Sequence, residues 1–401
     1  MAVAGRQVHV AFTWVRESGY LGLLTWLAYG PNGLMHPDRE AYLVNRNVLS
    51  RRVLVGVALA ALALTGCGGN GNSSEPGGSG GDGAYADLSG ELKASGASFP
   101  DAYYQEVVEA FKAEASGVTV TYNATGSGTG KKQFGEGLVD FAGTDSLVKE
   151  TDGVAAGSFL YVPTVAAPIT VSYNLEGVDK LQLSPETLAK IFQTDIKTWD
   201  DAAIKADNPG VELPNTPITV AHRSDGSGTT SNFTKYLDAA AAGTWKLGSG
   251  DTVAWPASTQ GGEKNTGVAQ IVKQTNGAVG YVDLSDAKAT GLTFAAIKNK
   301  DGQFVEPSLE GTTAGLEGAE IADDLSYNPL NAAGATAYPI TAPTFIVVKT
   351  SYDDANKAAL VKGFLTYLLN EGQDLAKDVD FAPLPASLKD KALAQVEKIQ
   401  G

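Results

Sequence analysis

Three short runs of small residues hold most of the chemistry this sequence offers: Gly96-Ala-Ser-Phe-Pro100, Thr125-Gly-Ser-Gly-Thr-Gly130 and Arg223-Ser-Asp-Gly-Ser-Gly-Thr229. Each leads into a stretch with helical periodicity. A helix start exposes unpaired backbone N–H groups and partial positive charge, glycine lets an oxyanion approach, and Ser or Thr hydroxyls add donors. One such loop is ordinarily a turn. Three of them, one with an arginine, point to an oxyanion site. Arg223 offers a planar fork of donors, and Asp225 two residues later is placed to hold that fork. The alternative for this pair is a surface ion pair worth ~0–1 kcal/mol and without function.

Other templates for such loops fail on spacing. Gly126-Ser-Gly-Thr-Gly130-Lys131 lacks the glycine at 125 and the Ser or Thr at 132 that a nucleotide P-loop requires, and it lacks the third glycine of a dinucleotide fingerprint. Ser127 and Ser227 do not sit in Gly-x-Ser-x-Gly, because Thr125 and Asp225 occupy the first position. The chain has one cysteine and three histidines, of which only His222 lies beyond residue 66. A zinc site, a disulfide framework or a histidine-based triad therefore has almost nothing to work with. Beyond residue 66 the chain keeps 24 basic and 42 acidic groups, a formal charge of −18, which argues against a nucleic-acid partner.

The elements that must position these loops follow an α/β pattern. Pro100 and Asp101 open a helix with Val107, Val108 and Phe111 on one face; Gly117 ends it, and Val118–Tyr122 reads as a strand. The second loop leads into a helix over Lys131–Leu138 and a strand at Val139–Ala142. A strand at Ile218–Ala221 enters the third loop, followed by a helix from about Thr230 to Ala241 with Phe233, Tyr236 and Leu237 on its apolar side. Further strands are expected at Ala278–Val282 and Thr344–Val348, and a closing helix at Ala355–Leu369. No Pro/Gly linker divides Ile169 from Ile340, so two lobes would be interleaved: 91–169 plus 342–401, and 170–341. The crossings would fall near Pro168–Ser172 and Tyr338–Pro343.

The N-terminal part reads differently. Arg51-Arg52, the apolar run Val53–Leu64 and Leu64-Thr65-Gly66-Cys67 form a signal peptide with a lipobox over 44–66, and Cys67 would become the lipidated residue. Residues 1–43 read as an upstream extension from a start placed too early, with Met35 or Val44 as better starts. Ser50-Arg51-Arg52 offers a faint twin-arginine alternative. Residues 67–90 form a flexible tether of Gly, Ser, Asn, Pro and acidic residues.

Four segments then narrow the reading. Gly96–Pro100, Thr125–Gly130, Val139-Asp-Phe-Ala-Gly-Thr-Asp145 and Arg223–Thr230 resemble, in order and approximate spacing, the signature segments of phosphate-binding proteins that serve bacterial ABC phosphate importers. Trp255-Pro256, Gly280-Tyr-Val282, Tyr338–Thr341 and Phe345–Val347 agree, so the similarity spans roughly Leu92–Leu384. The resemblance implies a type II periplasmic-binding-protein fold, two lobes joined by a two-strand hinge that close over one dehydrated phosphate. Ser98, the Phe99 backbone and Ser127 would contact the anion from one lobe; Arg223, Ser227, the Gly228 backbone and Thr229 from the other, with Asp225 orienting Arg223. Ser98 stands where threonine is frequent, and Thr129 in a stretch often richer in Gly and Ser; neither departure removes a donor. Asp145 matches the family's acidic ligand. A carboxylate only accepts hydrogen bonds, so monohydrogen phosphate could satisfy it and sulfate could not; a helix cap or surface acid is the alternative.

The resemblance further implies no cofactor, no metal, no catalysis, integral-membrane permease subunits as partners, a monomeric receptor, and a lipid-anchored place on the extracytoplasmic face of the cell membrane. A phosphatase, a receptor for another oxyanion and a phosphate-sensing adhesin are the competing functions.

Overall fold

The computed structural model describes residues 84–401. The expectations for the upstream extension, the signal peptide, Cys67 and the tether up to residue 83 lie outside the described residues. Packed chain begins at Tyr85, inside the stretch expected to be tether: its ring meets Phe111 and Tyr367 edge-on, with centroids 5.5 and 5.7 Å apart. Leu88 packs against the same core.

Two sheets share one long strand, Phe159–Asn174, and this makes the body two-lobed. Its first half pairs antiparallel with Thr341–Lys349, from Phe159 opposite Lys349 to Pro168 opposite Thr341. From Ile169 onward it pairs instead with Ala278–Asp283. Beyond Thr341–Lys349 the first sheet continues through Phe141–Thr144, Gly90–Gly96 and Val118–Ala124, the last three parallel to one another. Beyond Ala278–Asp283 the second sheet continues through Thr219–Arg223 and Gln260–Gly262, also parallel. A small third sheet joins Gln182–Leu183, Ala296–Lys298 and Phe304–Val305.

The long strand is buried from Tyr161 to Tyr173, which is why it reads as a continuous β-branched and small-residue run rather than as an alternation. The helices bury the expected faces. Asp101–Glu114 buries Val107 and Phe111, joined by Tyr103 and Tyr104, while Val108 is only half-buried. Gly228–Ala240 buries Phe233, Tyr236 and Leu237, and the closing helix runs Ala355–Leu369.

The second unit departs from expectation. Its helix spans Ser127–Gly135, not Lys131–Leu138, and its strand is Phe141–Thr144. The Gly/Ser run is therefore the helix's first turn rather than a loop before it. A helix this rich in glycine is disfavoured by propensity, but packing decides: a Cβ on Gly130 would lie 2.3 Å from the Gly96 Cα, so only glycine lets this helix seat on the first strand. Leu138, expected on the helix, is exposed.

Candidate functional site

The parallel strands of both sheets end at or near the runs singled out above, and a helix starts within or just beyond each run, the arrangement in which open α/β sheets hold ligands. Gly90–Gly96 ends at Ser98 and Phe99; Phe141–Thr144 ends at Asp145; Thr219–Arg223 ends at the Arg223–Thr229 turn. The two lobes touch here. Gly128 N–H donates to Gly226 O at 3.0 Å, and a Cβ on Gly228 would lie 2.6 Å from Ser127 Oγ and 2.7 Å from the Asp145 side chain. Glycine at 228 is thus what allows the second lobe's helix start to approach the first lobe's acid and hydroxyl.

Arg223 is buried at the end of its strand. Its Nε donates to Asp225 Oδ1 at 2.7 Å, and its Nη2 donates to Asp225 Oδ2, a bidentate pair two residues apart. Burial alone would push the Asp225 carboxyl up, but the Arg223 hydrogen bonds and charge, helped by the Lys264 N–H, hold it below the usual carboxylate value. The pair is not a surface one, since the Arg223 side chain is 1% exposed and that of Asp225 18%. Ser227 caps the Gly228–Ala240 helix, its Oγ accepting from Thr230 N–H at 3.1 Å, which leaves its hydroxyl proton to donate elsewhere. Thr229 is fully buried and its Oγ1 has no partner among the described residues, an unusual cost for a hydroxyl.

On the first lobe, Ser127 Oγ and the Asp145 Oδ2 are 3.3 Å apart, and Thr344 Oγ1 donates to Asp145 Oδ1 at 2.8 Å. Asp145 is neither a helix cap nor a surface acid. Burial pushes its carboxyl up to about 7, although the hydrogen bonds from Thr344 and Ser127 and the charge of Arg223 pull the other way. Ser98 is buried with its Oγ 3.4 Å from the Asn265 N–H. The Phe99 ring meets Phe381 edge-on in the core, so only its backbone is available to a ligand. A cavity of about 240 Å³ opens beside Ser98 and Phe99, lined also by Lys264, Asp283 and Asp286.

Sequence reasoning missed several groups that complete this arrangement. Asn232, one helical turn after Gly228, donates to the Asp145 backbone oxygen at 2.6 Å. Lys131 is fully buried and bridges Asp152 at 3.0 Å and Asp251 at 2.9 Å, and Ser146 Oγ also donates to Asp251. The Lys131 ammonium sits one residue beyond the Gly/Ser run, and Asp251 follows a Gly-Ser-Gly run, but no spacing rule links positions 120 residues apart. His222 stacks on Trp255 with centroids 5.0 Å apart, and its Nδ1 lies 2.9 Å from the Arg223 carbonyl oxygen. Among the described residues no group of three or more His, Cys, Asp or Glu is placed to hold a metal ion, and no helix is long and apolar enough to cross a membrane.

The site can therefore surround a small anion with a guanidinium edge, the hydroxyls of Ser98, Ser127, Ser227 and Thr229 and a helix N-terminus, with the Asp145 carboxyl as an acceptor. Comparison with known proteins bears on what that anion is. The PBP superfamily domain matches residues 81–371. The chain is 35% identical over 330 residues to the phosphate-binding protein PstS of Xylella fastidiosa, an alignment covering 81% of this chain and 88% of that protein. It is 35% identical over 361 residues to phosphate-binding protein PstS 2 of Mycobacterium tuberculosis, covering 86% and 96%. Among solved structures, the high-affinity periplasmic phosphate-binding protein PfluDING bound with phosphate superimposes with a TM-score of 0.64 at 23% identity, covering 76% of this chain and 93% of that one.

Proposed function

Because this chain belongs to the PstS family of phosphate-binding proteins within the PBP superfamily, we propose that its buried cleft captures one inorganic phosphate for an ABC importer. The observation that carries the assignment is a buried, carboxylate-oriented Arg223 whose charge acts on the buried Asp145 carboxyl. A cation alone would accept any oxyanion. A carboxylate beside it admits only an anion that still carries a proton to donate.

In this reading the terminal edge of Arg223, the Ser98, Ser127, Ser227 and Thr229 hydroxyls, and the Phe99 and Gly228 N–H groups donate to phosphate oxygens. Asp145 accepts the phosphate O–H. The free Ser227 hydroxyl proton and the unpartnered Thr229 Oγ1 support the two hydroxyl assignments. Each hydrogen bond to charge contributes about 1.5–3 kcal/mol net, which offsets the loss of phosphate hydration once the lobes exclude water. The acidic surface opposes capture only weakly, because surface charge is screened beyond ~8 Å at physiological ionic strength.

We assign the lobes as 91–169 plus 342–401 and 170–341. The change of the long strand's partner between Pro168 and Ile169, and the Tyr338 hydroxyl donating to Ile169 O at 2.8 Å, support a hinge there. Closure about that hinge would trap phosphate, and docking on membrane permease subunits would reopen it. The receptor acts as a monomer, anchored through a lipid on Cys67 on the extracytoplasmic face, and turns nothing over. His222, occupied by Trp255 and the Arg223 carbonyl, supports the last point. Calorimetric titration of the purified protein, freed of carried-over phosphate, tests the reading: phosphate gives a saturable heat and sulfate at pH 8 gives none. An equal response to both anions would withdraw it. Mass spectrometry of the mature N-terminus tests Cys67.

A further inference from the structure

Arg223 is held from a second side by side chains to which no phosphate contact is assigned above. Its Nη1 donates to Asn265 Oδ1 at 2.7 Å, and Asn265 Nδ2 donates to Asp283 Oδ2 at 2.7 Å. All three side chains are buried. A guanidinium has only donors, so it must meet the amide oxygen, and that turns the amide NH₂ toward the carboxyl. Asp283 is itself fixed, because it caps the helix Leu284–Thr290 with Oδ1 accepting from Asp286 N–H at 2.9 Å. The line from Arg223 thus ends on backbone.

An independent backbone feature converges on the same guanidinium. Lys264 has φ +60°, a left-handed conformation that is unfavourable in a residue carrying a Cβ. That turn sends the Lys264 N–H to Asp225 Oδ1 at 3.1 Å and starts the helix Lys264–Gln274, in which Asn265 is the second residue. The strained residue therefore serves both anchors of Arg223 at once, the carboxylate on one edge and the amide on the other. Of the five N–H donors of an arginine, Asp225 takes two and Asn265 one. One remains on each terminal nitrogen, a flat pair suited to bidentate capture of an oxyanion.

We propose that Asn265, backed by Asp283, is a positioning residue for Arg223: the relay fixes the rotation of the guanidinium so that its terminal edge faces the anion. This rests on the phosphate reading of the same cleft. It adds a residue pair that neither touches phosphate nor lies in the loops that do.

The test compares phosphate affinity of the purified protein by calorimetry across four forms. Asn265→Ala weakens binding about 10-fold or more. Asn265→Asp alone sets two carboxyls against each other and weakens it further. Combining Asn265→Asp with Asp283→Asn places a donor opposite an acceptor again and recovers at least tenfold of what the single change lost. A residue serving only to tie helix to strand would not predict loosening at the arginine itself. Nitrogen-15 relaxation of the Arg223 side chain supplies that readout: Nε becomes more mobile in the phosphate-free Asn265→Ala protein and is restored in the exchange. Wild-type affinity in Asn265→Ala, or no recovery in the exchange, overturns the relay. A wild-type protein that binds no phosphate removes instead the reading on which the relay stands.

Discussion

Two buried cation–carboxylate pairs lie in the cleft, and they act at different levels. Arg223 and Asp225 are two residues apart on one turn of one sheet's strand end. Lys131 and Asp251 are 120 residues apart: Lys131 rides on the helix Ser127–Gly135 of the first sheet's lobe, and Asp251 follows the helix Gly228–Ala240 of the second. A pair closed within one turn survives any movement of the lobes, so it can only prepare a ligand surface. A pair that spans both lobes exists only when they are together. The first readies a donor edge for an anion, with discrimination left to Asp145, and the second is expected to hold the cleft shut. Asp251 also joins the two levels, because its backbone oxygen accepts the Ser227 N–H at 2.9 Å and so ties the latch to the residue that caps the binding helix.

The comparison breaks most sharply at Arg223. Arg223→Ala removes two charge-assisted hydrogen bonds at about 1.5–3 kcal/mol each, so phosphate affinity should fall by at least about 100-fold in calorimetry. Closure by scattering should still occur at saturating phosphate, because the cross-lobe pair is untouched. Lys131→Met should do the reverse. It leaves Asp152 and Asp251 partly buried without their shared cation, and losing one member of a buried pair costs about 3–5 kcal/mol. The expected result is a large drop in the melting temperature of the phosphate-bound protein and weaker compaction on adding phosphate. Loss of affinity without loss of compaction in Lys131→Met would contradict the division of labour.

The two pairs were not equally legible in the sequence. Arg223-Ser-Asp225 is local, and a short side-chain reach at a strand end is something residue spacing can encode. The three loops, the buried helical faces and the closing helix were legible for the same reason, since periodicity and glycine placement act over a few residues. Lys131 looked like the flank of a Gly-rich turn because its partners come from distant segments. The helix at Ser127–Gly135 was displaced by four residues because close packing of Gly130 on Gly96 overrode helix propensity, a tertiary effect with no local trace. Asn265 and Asn232 were invisible likewise: each matters through hydrogen bonds to residues far along the chain.

Asp145 offers a smaller test, of the selectivity half of the comparison. Its carboxyl titrates at about 7 in the folded protein against 3.8 ordinarily, chiefly because it is buried. The folded state thus holds a proton that the unfolded state has released between those values. Stability from this group is intact below about pH 4, falls as pH rises, and is lost in full above about 7, with a ceiling on the order of 4 kcal/mol at 1.36 kcal/mol per unit. Phosphate-free Asp145→Asn should therefore melt above the wild type at pH 8, with the gap closing toward pH 4. Selectivity should follow the same titration. Below about pH 7 the protonated Asp145 can donate to sulfate, so sulfate should compete with phosphate at pH 5.5 and not at pH 8.5. In Asp145→Asn the competition should persist at both. A wild-type sulfate response that ignored pH would show that Asp145 does not do the discriminating.

The smallest effect belongs to Lys149, and its smallness is informative. Its ammonium lies 4.0 Å from Asp251 Oδ1, but its side chain is 54% exposed, whereas that of Lys131, on the same carboxylate, is wholly buried. Exposed pairs contribute ~0–1 kcal/mol and are screened by salt. Lys149→Ala should shift the melting temperature of the phosphate-bound protein by no more than about a degree or two, and raising the salt to 0.5 M should erase the shift. The Lys131→Met defect should persist at that salt, because water and ions do not reach the buried ammonium it replaces. If both variants lost their effect together, the latch would be a surface charge cluster, and closure of the cleft would depend on the phosphate contacts alone.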